Sequence, residues 1–163
     1  MMTHRPISRR RALGTLGALG VASATGALWR PGPAPAQQFG TQETVQDALK
    51  RIFGSRPFKD GGGVVKLDIP LIAENGSVVP VAIEVASPMT AANHVKHIYV
   101  VADKNRIPIV LRAALAPESG QAFLAATIRL GETGDVRAIV EQSDGTLLQV
   151  KREVKVTVGG CGG

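Results

Sequence analysis

The segment VRAIVEQSDGTLLQVKREVKVTV, residues 136–158, decides the fold. Two runs rich in β-branched residues flank Glu141-Gln142-Ser143-Asp144-Gly145-Thr146, whose Asp-Gly pair marks the tip of a hairpin. The second arm of that hairpin runs on to Val158. Side chains alternate along a strand, so Val154, Val156 and Val158 share one face and Lys155 and Thr157 the other. One side is therefore expected to be buried and the other to be wet or to meet a partner.

The same texture extends upstream. VVKLDIPLI (64–72), VVPVAIEVA (78–86), HIYVVAD (97–103), IPIVLRAAL (107–115) and AFLAATIRL (122–130) are short apolar runs separated by turn residues such as Asn75-Gly76. Seven or so strands at this spacing predict an all-β, immunoglobulin-like antiparallel β-sandwich. Pro70, Pro80 and Pro108 lack the amide that a sheet ladder uses, which predicts edges or bulges at those points. One helix precedes the strands. Val45, Ala48, Leu49, Ile52 and Phe53 recur at helical spacing, which predicts a helix over 41–53 with Thr41 as its cap and Gly54 as its stop.

Beyond Val158 the chain reads Gly159-Gly160-Cys161-Gly162-Gly163, and Cys161 is its one cysteine. With a single cysteine there is no internal disulfide, so Cys161 is either an intermolecular partner or a reactive group. Glycine adds no side chain and tolerates angles closed to other residues, so residues 159–163 read as a flexible, slender arm. At ~3.3–3.6 Å per extended residue, the three steps from Val158 to Cys161 carry the thiol about 10 Å from the domain. On this reading Gly160 has no packing to lose, and bulk at Gly160 or Gly162 hinders only entry into a narrow site. No fixed cation or helix terminus stands beside the thiol in the sequence. A model thiol with pKa ~8.5 is mostly protonated at neutral pH, so activation falls to whatever enzyme receives the arm.

The first 36 residues read as an export signal. They hold five arginines and no acidic residue, with a glycine-broken apolar run from Ala12 to Trp29. Arg9 and Arg10, within Ser8-Arg9-Arg10-Arg11-Ala12-Leu13, resemble a twin-arginine signal; Ala12 and Gly14 depart from that motif, and the general secretory route stays open. Ala34-Pro35-Ala36 offers a small-x-small pattern, which places cleavage after Ala36. The alternative is an uncleaved membrane anchor, the run being near the ~18 residues a spanning helix needs. Removing five basic residues from 19 leaves 14 against 13 acidic ones, a net charge of +1 for residues 37–163. No basic stripe remains of the kind that binds nucleic acid. The organisation expected is thus a signal at 1–36, a β-sandwich domain at 37–158 and an arm at 159–163, with localisation in the periplasm and no stable membrane insertion after cleavage.

Other chemistry is sparse. His94 and His97 fall on opposite faces if one strand holds both, which argues against a shared metal. Gly61-Gly62-Gly63 is followed by a strand and by no Lys-Ser or Lys-Thr pair, so it reads as a loop leading into the sandwich. Lys151, Arg152 and Lys155 approach the arm from the last hairpin. They read either as a solvated face or as a lure for an anionic adduct.

Paired arginines at the start, a small all-β domain, Ala73-Glu74-Asn75-Gly76-Ser77-Val78-Val79-Pro80, and above all Val158-Gly159-Gly160-Cys161-Gly162-Gly163 together resemble the SoxY family, sulfur carriers of bacterial thiosulfate oxidation. The resemblance implies a carrier that is not itself an enzyme. It binds no cofactor and holds sulfur adducts covalently on Cys161, with Gly159, Gly160, Gly162 and Gly163 giving access. It implies a complex with SoxZ, loading by the c-type cytochrome complex SoxAX, sulfate release by the manganese hydrolase SoxB, and oxidation by the sulfane dehydrogenase SoxCD where the host has it. Two other classes stay in view. A ubiquitin-like sulfur carrier would use a thiocarboxylate on Gly163 and work in the cytoplasm. An exported structural module would use Cys161 only to cross-link to a partner.

Overall fold

The structure, a computed structural model, describes residues 43–160. The signal with Arg9, Arg10 and Ala36, the expected Thr41 cap, and Cys161, Gly162 and Gly163 lie outside the described residues.

The helix α1 spans Val45–Phe53 and is capped by Thr44 in place of Thr41. The first amides of a helix have no partner inside it and take a side-chain oxygen where one is in reach. Thr44 is extended, and its Oγ1 accepts from the Asp47 amide at 3.2 Å while donating to the Asp47 carboxylate at 2.7 Å. Gly54 stops the helix as expected, with a left-handed φ of 64° and its amide on the Lys50 carbonyl. No helix among the described residues is long and apolar enough to cross a membrane.

Among the described residues nine strands follow: β1 Phe58–Asp60, β2 Val65–Asp68, β3 Ile72–Asn75, β4 Val79–Val85, β5 Val95–Ala102, β6 Ile109–Ala114, β7 Ala122–Ile128, β8 Gly134–Gln142 and β9 Leu147–Val158. They form two sheets. The larger has the order β1-β9-β8-β5-β6, with β3 also paired to β9, and the smaller has the order β2-β4-β7. The expected sandwich is present, and most pairings are antiparallel; β1 and β3, however, run parallel to β9. The stretch 64–72, read as one strand, is two. It breaks at Pro70, where no amide can continue a ladder, and the chain crosses from the small sheet into the large one.

The other prolines sit where a ladder has a gap. Pro80 is in β4, the central strand of the small sheet. There β4 pairs with β7 alone, because β2 reaches only to Ala82. Pro108 precedes β6 beside a register shift at Val100/Val101, and its carbonyl accepts from the Ala102 amide at 2.8 Å.

The main core lies between the sheets, around Ile83, Ile98, Val100, Ala138, Val140 and Val154. A second core lies on the opposite face of the large sheet. There Phe53 of α1 packs with Tyr99, Val101, Ile139 and Leu147. Strand β5 is therefore apolar on both faces, unlike a strand with one wet side. Phe53 meets Tyr99 and Phe58 edge to face, with ring centroids at 4.9 and 5.4 Å. The alternation expected in β9 also needs amending. Val154 is buried and Val156 partly so, but Val158 is 62% exposed, because the strand runs past the end of the core.

The link from α1 to β1 is fastened by Arg56. Its Nη1 donates to Glu141 Oε1 at 2.7 Å, and the other carboxylate oxygen accepts from His97 Nδ1 at 3.0 Å. Burial pushes the Glu141 pKa up, but the hydrogen bonds from Arg56 and His97 outweigh it and hold the group below the ordinary carboxylate range.

Two outcomes follow. Phe53→Ala should cost about 3–5 kcal/mol in urea unfolding, because it empties the centre of the second core. Glu141 ionises more readily when folded, so the stability it contributes is present above the usual carboxyl pKa of ~4.3 and fades as pH falls through the lowered value. Glu141→Gln should therefore be less stable than wild type at pH 7. Unfolding curves taken at successively lower pH should converge once Glu141 is protonated in the folded protein.

Candidate functional site

The segment leading to Cys161 is the end of β9, and its surroundings are specific. Strands β8 and β9 pair only as far as Gly134↔Val154. Past that point the Val156 amide donates to Thr133 Oγ1 at 2.9 Å. On the other side β3 continues the pairing, with Ala73 opposite Val156 and Asn75 opposite Val158. The last residues of β9 thus run between the β3–β4 turn and the β7–β8 connection.

There three backbone hydrogen bonds close a ring. The Gly76 amide donates to the Val158 carbonyl at 2.8 Å, the Leu130 amide donates to the Gly76 carbonyl at 2.7 Å, and the Gly160 amide donates to the Leu130 carbonyl at 3.0 Å. Gly160 is buried. The glycines are required by closeness. A Cβ on Gly160 would lie 2.7 Å from the Gly76 oxygen and 2.8 Å from the Ser77 nitrogen, one on Gly159 would overlap the Gly131 carbonyl, and one on Gly76 would overlap the Leu130 carbonyl. No ordinary Cβ sits so near backbone atoms.

This corrects the expectation for Gly159 and Gly160. They do not supply flexibility; they let the backbone pass through a gap that any side chain would fill. Gly160 has packing to lose. The reach changes as well: past Gly160 only one peptide step, about 3.8 Å between Cα atoms, leads to Cys161, instead of a free run from Val158.

Two side chains hold the ring: Asn75, expected only as a turn residue, and Asn105, which no sequence pattern marks. The Asn75 side chain accepts from the Ser77 amide at 2.9 Å and so fixes the turn that carries Gly76. Asn105 is the one buried polar residue of the described core. Its Nδ2 donates to the Arg129 carbonyl at 2.7 Å and its Oδ1 accepts from the Gly131 amide at 2.9 Å, bracing the chain on either side of Leu130. Asn-Gly at 75–76 is legible as a turn, but nothing in the sequence ties Asn105 to residues 129–131.

The remaining candidates lie elsewhere. His94 precedes β5, with Nδ1 3.1 Å from the Thr90 carbonyl, whereas His97 is within it, between Glu141 and Arg112. Among the described residues no group of three or more His, Cys, Asp or Glu is arranged to hold a metal ion. The loop Gly61-Gly62-Gly63 borders an open cleft of about 770 Å3, where the Gly62 amide donates to Asp60. Lys151 and Arg152 line that cleft, and Lys151 is paired with Asp135 at 3.1 Å. At ~3.3 Å per strand residue they stand about 20 Å before Val158, so of the three cations only Lys155 is near the ring.

The comparisons agree with this architecture. No curated protein matches the chain. The sulfur carrier protein SoxY from Chlorobium limicola f thiosulfatophilum is 28% identical, with a TM-score of 0.58 over 71% of this chain and 97% of that one. A superoxide reductase (neelaredoxin) from Ignicoccus hospitalis, 21% identical with a TM-score of 0.51 over 57% of this chain and 80% of that one, shares the fold alone. The family model for the sulfur oxidation protein SoxY matches residues 49–161, from α1 through Cys161 itself, and the chain belongs to the SoxY family.

Proposed function

We propose that this chain is a covalent sulfur carrier of thiosulfate oxidation and that Cys161 is where the sulfur is attached. The observation that carries this is the family match, which runs from residue 49 to the cysteine. The chemistry agrees. Cys161 is the one thiol of the chain, and thiolates form and exchange bonds to sulfur readily.

Loading joins the Cys161 sulfur to the sulfane sulfur of thiosulfate. The two reactants together lose two electrons, which a c-type cytochrome complex of the SoxAX kind accepts, and the thiol gives up its proton. The product is a cysteine S-thiosulfonate. Attack of water on its terminal sulfonate sulfur, by a hydrolase of the SoxB kind, releases sulfate and leaves a persulfide on Cys161. A sulfane dehydrogenase such as SoxCD, where present, passes six electrons from that remaining sulfur to its own electron acceptor while three waters supply oxygen, giving an S-sulfonate, and a further hydrolysis releases a second sulfate and frees the thiol. The chain acts throughout as the substrate of its partners and brings no cofactor, its adducts being the sulfur groups on Cys161. Gly162 and Gly163 leave the thiol unobstructed.

The work is placed in the periplasm, after export directed by Arg9 and Arg10 and cleavage after Ala36. SoxZ is the proposed stable partner.

Intact mass of the protein from the periplasm of thiosulfate-grown cells, purified without reductant, tests this reading. A thiosulfonate or added sulfur atoms localised to Cys161, lost on reduction and absent from Cys161→Ser, is the expected result. Free thiol or a disulfide-linked dimer under every growth condition would favour the structural module held by a cross-link.

A further inference from the structure

The two stretches that carry the family resemblance, Ala73–Pro80 and the one that begins at Val158, are far apart in sequence, yet Gly76 of the first bonds Val158 and lies beside Gly160 of the second. Gly76 in the first accepts the amide of Leu130 and donates to Val158; Gly160 in the second donates to Leu130. Each glycine sits where a Cβ would strike the backbone of another segment, in the β3–β4 turn or the β7–β8 connection. Asn105 fastens both neighbours of Leu130 from inside the core. The arrangement ties the chain down at the last residue before the cysteine, the opposite of what a long free tether would need.

We propose that Gly76, Leu130 and Asn105 are positioning residues for the carrier, making the arm pivot at Gly160 so that Cys161 is presented from a fixed point on a short tether. This rests on the reading of Cys161 as the attachment site. A pinned root means that each partner enzyme meets the thiol at one place on the domain surface, and that little backbone freedom is lost on docking. An arm released back to Val158 would have to reorder Gly159 and Gly160 at every encounter. The tight ring also explains why glycine stands at 76, 159 and 160, which a merely flexible arm leaves unexplained at Gly76.

Amide hydrogen exchange by NMR, followed by loading kinetics, tests the proposal in the full mature chain, as wild type, Gly76→Ala and Asn105→Ala. In wild type the Gly160 amide should exchange at least about fivefold more slowly than that of Gly162, the protection expected of one hydrogen bond. In both variants that protection should vanish while the Ile98 and Val140 amides, deep in the core strands, keep theirs. Loading of Cys161 with thiosulfate by the host's c-type cytochrome complex should then fall about tenfold or more in kcat/KM, chiefly through KM, as expected for reordering two backbone residues. Alkylation by iodoacetamide, which needs no docking, should change less than about twofold. A Gly160 amide that exchanges as fast as Gly162 in wild type would overturn the pivot. Variants that free Gly160 yet load normally would overturn the positioning role. Protection of Gly160 with no loading of wild type would remove the carrier reading, and the positioning role with it, while leaving the ring as architecture.

Discussion

Three backbone hydrogen bonds, linking Val158 to Gly76, Gly76 to Leu130 and Leu130 to Gly160, join the end of the last strand to two connections of the sandwich. Backbone groups that leave water must find partners, and here each of the three segments satisfies another. The geometry admits no side chain, so glycine at 76, 159 and 160 is a steric condition and not a source of looseness. The proposed chemistry hangs from this point, because Cys161 is the next residue along the chain.

The rest of the fold can be understood as what brings those segments together. The centre of the large sheet is covered on both faces, by the small sheet and by α1, and β9 runs alongside β8 and beyond it. Where β8 ends, Thr133 takes over as acceptor for Val156, and β3 holds the other edge in parallel register. A strand that outruns its core would ordinarily fray. This one is held along both sides up to Gly160, and the buried Asn105 makes the β7–β8 connection a firm anchor. A polar side chain in the core is costly unless paired, and Asn105 recovers that cost through bonds to Arg129 and Gly131.

Much of this was legible in the sequence. The period of two in residues 136–158, the Asp-Gly hairpin and the regular turn spacing indicate the sandwich, and the lone cysteine among glycines marks the segment on which the proposed chemistry rests. The failures have physical causes. Residues 64–72 look like one strand because apolar runs do not reveal which sheet they join; only Pro70 hints at the break. Helix α1 is capped by Thr44 and starts at Val45, since two threonines three residues apart compete as caps and local sequence does not choose between them. Glycines invite a reading of flexibility, but glycine also serves wherever two backbones come too close for a Cβ. That second use depends on Leu130 and Gly76, contacts that no local pattern carries, so neither the packing of Gly159 and Gly160 nor the bracing by Asn105 is legible locally.

The root of the GGCGG segment is part of the folded domain, and the unfolding free energy of Gly160→Ala, measured in urea with reductant present, reports this directly. A Cβ forced against the Gly76 carbonyl in a packed site should cost about 1–3 kcal/mol. A variant as stable as wild type would mean that Gly160 lies on a free arm and that the ring does not hold it.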